Sequence, residues 1–451
     1  MVVNSSNPKR WLGALKNLVR VNNTRARKLA SRKAGGAVAV APQSSVQAAA
    51  SRQAAASRQA SSDSSQDSSL RQYMGWRSFI NPLWCLYGMR VSVVILSIFG
   101  LFMVFSSSSV TMITYGAAPW GQGVNQTLYC ILGTIGYIFA SRLPISYYRR
   151  YIAVIYTVSA VAQFLTFVPG LRREVNGNAG WISIGPITLQ PAEITKLALC
   201  IWLPVALLAA KQAYKRVQMR AYIPAAAGLG LSLLLVIAGK DLGTALIIIF
   251  IALIAFYLGG FPTRWLVGSI AVAVVLVALL VLTSQNRMRR ILATLHGCDA
   301  KAARGVCFQA IHAQYAMASG GLLGVGIGNS REKWNYLPYA HNDFIFAIIG
   351  EEMGFLVAAA VVLLYIVIGW CMMSSALQAE SKFISISLMC IATWIVGQGL
   401  VNILVVVQLL PVMGVPMPFV SAGGSSLVMC LVAVGVADGL MRENPQLKIA
   451  K

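Results

Sequence analysis

Residues 243–260, GTALIIIFIALIAFYLGG, carry no charged side chain in eighteen consecutive positions. A helix of about this length crosses the roughly 30 Å hydrocarbon core of a bilayer, and similar apolar runs recur along the chain. The sequence lacks the alternating pattern of an outer-membrane barrel, so helices must satisfy the backbone inside lipid. With 57% hydrophobic and 11% charged residues, the chain is predicted to be an all-α polytopic membrane protein, which excludes a soluble globular one.

Ten such runs predict about ten transmembrane helices. The eighth and ninth are long enough to tilt or to begin as helix above the membrane. The predicted spans are 91–110, 124–141, 150–169, 191–210, 221–239, 243–260, 265–284, 343–375, 383–409 and 424–441.

Basic residues in the short loops predict the orientation of these spans. They follow spans two, four, six and ten, at Arg142, Arg149, Arg150, Lys211, Lys215, Arg216, Arg220, Arg264 and Arg442. The opposite loops at 111–123 and 410–423 contain no Lys or Arg. Because basic loops tend to stay in the cytoplasm, both termini are predicted to be cytoplasmic. The large loop 285–342 is then external, with Asp343 at its edge.

The first 85 residues are predicted to form a basic, largely disordered cytoplasmic leader to a transmembrane domain at 86–442, which a short cytoplasmic tail follows at 443–451. Residues 1–90 contain fourteen Lys and Arg but only two acids. Beside a membrane domain this charge favours an anionic membrane surface as the partner, and not nucleic acid. The apolar positions of residues 11–19 are typical either of a helix lying on that surface or of a disordered leader.

Cysteine positions divide into two groups. Six of the eight lie in or beside predicted spans and are interpreted as small buried apolar residues. Cys298 and Cys307 lie in the predicted external loop, where oxidation is permitted. A disulfide between them is the hypothesis, and two free thiols are the alternative.

The stretch YLPYAHNDFIFAIIGEE at 336–352 places His341 and Asp343 where a polar loop enters the eighth span. Acids are scarce here, 13 Asp and Glu against 37 Lys and Arg, and ionisable groups at a membrane boundary usually have a function. Asp343 is therefore the leading candidate for a functional carboxylate. Three acids that are deeper or cytoplasmic are assigned structural or gating roles: Glu351, Glu352 and Asp438.

A second charged pair lies in GPITLQPAEITK at 185–196. Pro191 suits the first turn of a helix, which puts Glu193 and Lys196 on one face. They form either a structural ion pair or a cation held ready for an anionic ligand. Lys240 and Asp241, in a tight turn between spans, are interpreted as structural.

Two further segments are candidates for ligand contact. The glycine-rich stretch GGLLGVGIGNS at 320–330 precedes Arg331 and Lys333, cations suited to a phosphate-bearing ligand near Asp343. The loop PVMGVPMPFVSAGGSS at 411–426 is uncharged and broken by prolines, and such backbone is tolerated beside a polar cavity. The hydroxyls of Ser421 and Ser425 are predicted to line that cavity.

These segments, in this order and on ten spans, resemble the SEDS family of peptidoglycan polymerases over roughly residues 85–442. The strongest pieces are YLPYAHNDFIFAIIGEE, GPITLQPAEITK and, at 416–426, PMPFVSAGGSS. The basic leader and the form of the first piece are more similar to division-type members than to elongation-type ones.

The resemblance implies polymerisation of glycan strands from lipid II, a disaccharide-pentapeptide on undecaprenyl diphosphate, at the outer face of the plasma membrane. In this inverting transfer the GlcNAc 4-hydroxyl of the acceptor attacks the anomeric carbon of the growing chain, and lipid diphosphate leaves. The alcohol needs a base and the diphosphate needs countercharge. The implied partners are a class B penicillin-binding transpeptidase and other divisome proteins at the division septum.

By the same resemblance, Asp343 is the general base and Lys196 a candidate partner for the diphosphate. Trp181 offers an apolar wall to sugar or lipid. A divalent cation, Mg²⁺ or Mn²⁺, could share the countercharge, although no ligand cluster predicts one. The remaining substrate-binding candidates are Glu193, Arg331, Lys333, His341, Asn342, Ser421 and Ser425.

Four positions depart from the family pattern. Gly180 stands where the family commonly has Arg before the tryptophan, and Lys240 brings an added cation into a turn that is usually acidic. Tyr339 and Ala422 occupy positions that are often Glu and Tyr. The departures leave the contacts to the ligand open, but not the class of protein.

Two rival functions suit the same composition. A flippase that moves lipid II would also have many spans, an acidic gate and a polar cavity. A non-catalytic division scaffold would need only the leader and the spans. Polymerisation is favoured because Asp343 is predicted at the external edge and the two halves of the chain do not visibly repeat each other.

Overall fold

The computed structural model describes residues 75–175, 178–185, 187–283, 285–296, 305, 307–334, 336–445 and 447. The leader up to residue 74, with its predicted surface helix, lies outside the described residues, and so does Cys298.

Twelve α-helices make up most of the described chain. They are α1 (Pro82–Thr114), α2 (Gly121–Arg142), α3 (Ile145–Leu165), α4 (Pro191–Val217), α5 (Ile223–Ala238), α6 (Leu242–Gly259), α7 (Thr263–Leu282), α8 (Gln285–His296), α9 (Phe308–Gly320), α10 (Ile345–Leu377), α11 (Lys382–Val406) and α12 (Gly424–Met441).

Each of the ten predicted spans overlaps one of these helices, and α8 and α9 lie inside the predicted external loop. Among the described residues, seven helical stretches are long and apolar enough to cross a membrane. One of the seven joins α4 and α5 through the 3-10 helix Gln218–Tyr222. Of the predicted class, the mostly helical architecture with several membrane spans is confirmed, and the number of ten spans stays a prediction.

Local sequence signals set several helix ends. Asn81 caps α1, because its side chain accepts a hydrogen bond from the backbone N–H of Leu83 at 2.9 Å. Pro191 occupies the first turn of α4, as predicted. Gly260 ends α6 in the left-handed conformation, at φ 83°, which few other residues adopt readily.

Small residues let α12 lie close along α2. A side chain at Gly133 would meet Leu431, and one at Gly435 would meet the backbone of Tyr137. Such close approach through small residues is common between helices in membranes. Helix α11 contacts α6 and α10, and its Trp394 is fully buried.

A small antiparallel sheet departs from the all-α prediction. It consists of β1 (Arg172–Val175), β2 (Asn178–Ile184) and β3 (Ile187–Leu189), in that order. The strands lie between α3 and α4 and are too short to give a signal next to helical runs of twenty residues. The sheet fixes Trp181 on β2 opposite Arg173 on β1.

Helix α10 is broken at Gly354, where φ is 76° and ψ is −178°. The break leaves backbone groups without helical partners, and the glycine-rich stretch supplies them. Backbone N–H groups of Val325 and Gly326 donate to the carbonyls of Glu351 and Glu352, at 2.9 and 3.0 Å.

The glycine-rich stretch also accepts hydrogen bonds from beyond the break. The N–H groups of Phe355 and Leu356 donate to the carbonyls of Gly321 and Leu322, at 2.9 and 3.3 Å. Buried backbone groups are almost always paired, so the stretch completes α10. The glycines permit close backbone approach, and in this structure they approach α10.

Candidate active site

Asp343 lies just before α10, at the end of the turn that follows the segment 307–334. Its side chain is only partly exposed. Burial among protein atoms raises the pKa of this carboxyl from 3.8 to about 6. The positive charge of Arg290 on α8 opposes that rise, and the negative charge of Asp241 adds to it.

The carboxylate of Asp343 faces the loop 411–426. A methyl group added at Gly414, where φ is 69°, would lie 3.6 Å from its Oδ2. Arg290 reaches the same loop, because its Nη1 donates to the carbonyl of Val412 at 3.1 Å. The structure therefore brings together a half-buried carboxylate, a cation and an uncharged loop.

His341 and Asn342 complete the turn before Asp343. The carbonyl of His341 accepts a hydrogen bond from the N–H of Ala422 at 2.9 Å, which joins the turn to the loop 411–426. The His341 Nδ1 is buried and has no hydrogen-bond partner in the described part of the chain. Desolvation by burial lowers the pKa of the His341 imidazole from its ordinary value. The N–H of Asn342 donates to the carbonyl of Tyr339 at 3.0 Å.

The hydroxyls of the two predicted serines, Ser421 and Ser425, accept hydrogen bonds from backbone N–H groups. Ser421 Oγ accepts a hydrogen bond from the N–H of Met417 at 2.8 Å, and Ser425 Oγ accepts one from the N–H of Gln190 at 3.3 Å. Both serines are buried. In this conformation they stabilise the loop, and each hydroxyl keeps a proton that can be donated.

Glu193 and Lys196 form a deeply buried ion pair on α4. Each is only 1% exposed, and Lys196 Nζ lies 2.9 Å from Glu193 Oε1. The ammonium also donates to Gln398 Oε1 at 2.7 Å and lies 4.9 Å from the centre of the Trp394 ring. Lys196 is therefore fully coordinated by protein in this conformation, which is the structural alternative for this pair. A role toward a diphosphate needs these contacts to open.

Asp241 caps α6 through Thr244, whose N–H and hydroxyl both donate to its carboxylate, at 3.0 and 2.9 Å. Gln190 Nε2 also donates to it at 2.8 Å. The interpretation of Asp241 as structural is consistent with these bonds, although its charge also acts on Asp343. A side chain at Gly180 would lie 3.7 Å from Asp241 Oδ2, so this departure from the family pattern lies beside the same carboxylate.

The two cations that follow the glycine-rich stretch lie in different environments. Arg331 is exposed, and its backbone N–H donates to Glu351 Oε1 at 2.9 Å. Lys333 is buried and pairs with Glu352 Oε1 at 2.9 Å. Glu352 also accepts a hydrogen bond from Ser106 of α1. The structural role predicted for Glu352 is consistent with this arrangement. The ion pair with Lys333 connects the segment that follows the glycine-rich stretch to α10.

Replacing Lys333 with Met should lower the free energy of unfolding by about 3–5 kcal/mol, because Glu352 would then be a buried charge without its cation. The double variant K333M/E352Q should recover most of this loss. Thermal unfolding in detergent measures both, with the exposed Lys382→Met as the control for losing a lysine. A K333M protein as stable as the control would contradict a structural ion pair.

Sequence reasoning missed Arg290 as part of this site. Arg290 lies 53 positions before Asp343 in the chain, and only the packing of α8 against the loop 411–426 brings its charge to the carboxylate. Its local signal was weak, since it is one of several basic residues in a loop that carries no helical hydrophobic run.

Cys307 is disulfide-bonded, whereas six other cysteines are free: Cys85, Cys130, Cys200, Cys371, Cys390 and Cys430. The hypothesis of an oxidised external loop is consistent with this difference. Because Cys298 lies outside the described residues, the pairing of Cys298 with Cys307 stays a prediction.

Comparison with known proteins assigns the family. A model of the FtsW/RodA/SpoVE family, described as cell cycle proteins, matches residues 88–445. The chain belongs to this family. The matched region contains every described element from α2 to α12, including Asp343 and the loop that faces it.

Curated members of the family resemble the chain over most of its length. A probable peptidoglycan glycosyltransferase FtsW from Mycobacterium tuberculosis is 33% identical over 352 residues, which cover 78% of this chain and 67% of that protein. A protein of the same name from Trichlorobacter lovleyi is 32% identical over 362 residues, covering 79% and 92%.

Solved structures share the fold. A chain of a peptidoglycan synthase complex that coordinates polymerization and crosslinking superposes with a TM-score of 0.64 at 23% identity, covering 80% of this chain and 98% of that one. The rod shape determining protein RodA of Thermus thermophilus gives a TM-score of 0.59 at 23% identity, covering 80% and 97%.

Proposed function

We propose that the chain is a peptidoglycan glycosyltransferase that polymerises lipid II into glycan strands during septal cell-wall synthesis. The observation that carries the proposal is Asp343, a recessed carboxylate whose pKa is raised to about 6 and which faces an uncharged loop. The relatives named above as peptidoglycan glycosyltransferases support it.

In this proposal Asp343 is the general base. The acceptor's GlcNAc 4-hydroxyl attacks the anomeric carbon of the growing strand. As the new carbon–oxygen bond forms, the hydroxyl proton moves to the Asp343 carboxylate, and the bond to the diphosphate breaks with its electron pair leaving on that group. A base whose pKa lies near the working pH is efficient, and burial supplies that pKa here.

Countercharge for the leaving diphosphate is assigned first to Arg290, the cation whose charge acts on Asp343. Exposed Arg331 is a second candidate. Lys196 remains a proposal that requires its buried contacts to open. A divalent cation, Mg²⁺ or Mn²⁺, could add to this charge beside the diphosphate. Among the described residues no cluster of three or more His, Cys, Asp or Glu could hold a metal.

The membrane topology follows from the same reasoning. We place ten of the twelve helices across the plasma membrane, with both termini in the cytoplasm and α8, α9 and Asp343 at the outer face. The absence of Lys and Arg from 111–123 and 410–423 supports this orientation. The departures Lys240 and Tyr339 would then lie on the outer side, where they could alter contacts to the sugars.

The proposed partner is a class B penicillin-binding transpeptidase, within a set of other divisome proteins at the septum. The likeness to a chain of a synthase complex that couples polymerization with crosslinking supports such a partner. The basic leader, with fourteen Lys and Arg in residues 1–90, is assigned to the anionic inner surface of the membrane.

A lipid II flippase is the second candidate, because the ion pair of Glu193 and Lys196 is buried at 1% exposure inside the helical bundle. Buried charges of this kind often mark transport paths. A non-catalytic scaffold would need neither this pair nor a base of raised pKa.

The test of the proposed function supplies full-length protein, its co-expressed class B transpeptidase and fluorescent lipid II in vesicles. Glycan ladders on a gel are expected. Movement of lipid II between leaflets without ladders would replace the enzyme with the flippase. If a folded complex shows neither activity, the non-catalytic scaffold is the remaining candidate.

Polymerisation should fall about tenfold for each pH unit below about 6, because only the ionised Asp343 accepts the proton and its pKa is about 6. Arg290→Gln should move this acidic limb to higher pH, since the cation that lowers the pKa is gone. Arg289→Gln, a neighbouring exposed arginine, should leave it in place. A limb near pH 4, or equal shifts for the two variants, would contradict the assignment.

A further inference from the structure

Two amide side chains of α11, Gln398 and Asn402, lie one helical turn apart and are 0% and 1% exposed. Uncharged polar groups buried in a membrane bundle need hydrogen-bond partners. Neither residue belongs to the candidate site as the sequence defines it. Their hydrogen-bond partners, however, include Asp343, the loop 411–426 and Lys196.

Asn402 uses its amide nitrogen twice. Nδ2 donates to the backbone carbonyl of Asp343 at 2.8 Å and to that of Val415 at 2.8 Å. The Asp343 carbonyl lies just outside α10, whose first intrahelical acceptor is the carbonyl of Phe344. Asn402 therefore links the backbone of Asp343 to the loop 411–426, which the Asp343 carboxylate faces.

Gln398 makes the corresponding link to α4. Its Nε2 donates to the carbonyl of Pro416 at 2.8 Å. Its Oε1 accepts hydrogen bonds from Lys196 Nζ at 2.7 Å and from Trp394 Nε1 at 3.0 Å. Consecutive carbonyls of the loop, at 415 and 416, are thus held by consecutive turns of one helix.

The loop needs side-chain partners because of its composition. Pro411, Pro416 and Pro418 have no N–H, so the segment cannot close a regular ladder of backbone hydrogen bonds. A planar amide offers two N–H donors and one acceptor in fixed geometry. An apolar residue at 398 or 402 would leave buried carbonyls unpaired, at a cost for each.

We infer that Gln398 and Asn402 are positioning residues, which set the position of the Asp343 carboxylate relative to the loop 411–426 and to Lys196. The inference rests on the proposed function, since the position of a base matters only if Asp343 accepts a proton. Displacement of a reacting group by about 1 Å can reduce a rate by about 100-fold.

The test compares Asn402→Leu and Gln398→Met, which keep side-chain volume but remove the donors, in the full-length complex. Polymerisation by N402L should fall about 100-fold in kcat with KM for lipid II changed less than threefold. The acidic limb of the pH profile should also move below pH 6, because a released turn exposes Asp343 to water. Asn402→Gln, which keeps an amide, should recover part of the loss. Q398M should show a smaller loss in kcat.

Hydrogen exchange gives a second readout that does not need activity. N402L should raise exchange in peptides covering 341–347 and 411–420. Ser387→Ala is the matched control, because Ser387 is a buried polar residue of the same helix whose hydroxyl has no partner among the described residues. It should change neither exchange in those peptides nor kcat.

Three results would overturn the inference. One is unchanged exchange at 341–347 in N402L. Another is raised exchange with kcat and the pH profile unaltered, which would make the amides structural only. The third is a wild-type complex that makes no glycan: the proposed function then fails and the catalytic part of the inference with it, while exchange still reports whether the amides hold the turn.

Discussion

Asp343→Asn is expected to reduce glycan synthesis from lipid II by about 1,000-fold or more, since removal of a general base typically costs 10²–10⁴-fold. The amide keeps the shape of the side chain but cannot take a proton from the acceptor hydroxyl. Asp343→Ala should be equally inactive. Ladder formation by the complex with its transpeptidase measures both variants.

The same substitution should not harm the fold. The pKa of Asp343 is higher in the folded protein, about 6, than its ordinary value of 3.8. Ionisation above pH 6 therefore costs folding free energy, and the neutral amide avoids this cost. D343N is expected to melt at or above the wild-type temperature at pH 7.5, and lost activity with retained stability is the pattern of a functional residue.

Glu174→Gln is the control for removing a carboxylate. Glu174 is an exposed acid of β1 that pairs with Arg172, and its loss should change synthesis less than twofold. Normal ladders from D343N would remove Asp343 as the base. Equal losses from D343N and E174Q would point to a general effect of charge.

The helices could be predicted from sequence because each membrane span carries its own signal. An apolar run of twenty residues, such as 243–260, identifies a helix without knowledge of its neighbours. Asp343 could be found for a related reason, since an acid at the edge of such a run is rare. The ion pair of Glu193 and Lys196 also needs only a spacing of three residues on a helix.

The surroundings of Asp343 could not be predicted in the same way. Arg290 and Asp241 act on it through packing between segments far apart in sequence, and no local pattern encodes that proximity. Gln398 and Asn402 are different, because a Gln and an Asn inside an apolar span are themselves a signal. The sequence could have marked them as functional or structural, but not have named their partners.

The glycine-rich stretch shows what the sequence leaves open about a motif. Glycines permit close approach of backbone, and the two cations that follow them are predicted to suit a phosphate-bearing ligand. The structure uses the glycines for approach to the backbone of α10 at the Gly354 break. Close approach needs residues without side chains whatever the neighbour is, and only the tertiary structure identifies α10 as that neighbour.

Gly320→Ala tests that packing and should strongly destabilise the fold. The methyl group of an alanine at the end of α9 would overlap the carbonyl oxygen and carbon of Gly350 and the Cα of Glu351. Overpacking usually costs about 1–3 kcal/mol. Here the cost should reach at least about 3 kcal/mol, because the obstructing atoms are backbone of α10 and cannot rotate away.

Gly397→Ala is the matched control. Gly397 also lies in a helix, α11, but no atom of another described element is within 4 Å of the position its methyl group would take. Alanine there should be neutral or slightly stabilising, by up to about 1 kcal/mol. Thermal unfolding of the two variants in the same detergent therefore separates the general effect of glycine replacement from the steric one. If G320A unfolded at the same temperature as G397A, α9 could not lie against α10 as described. The glycine-rich stretch would then be free to contact a ligand.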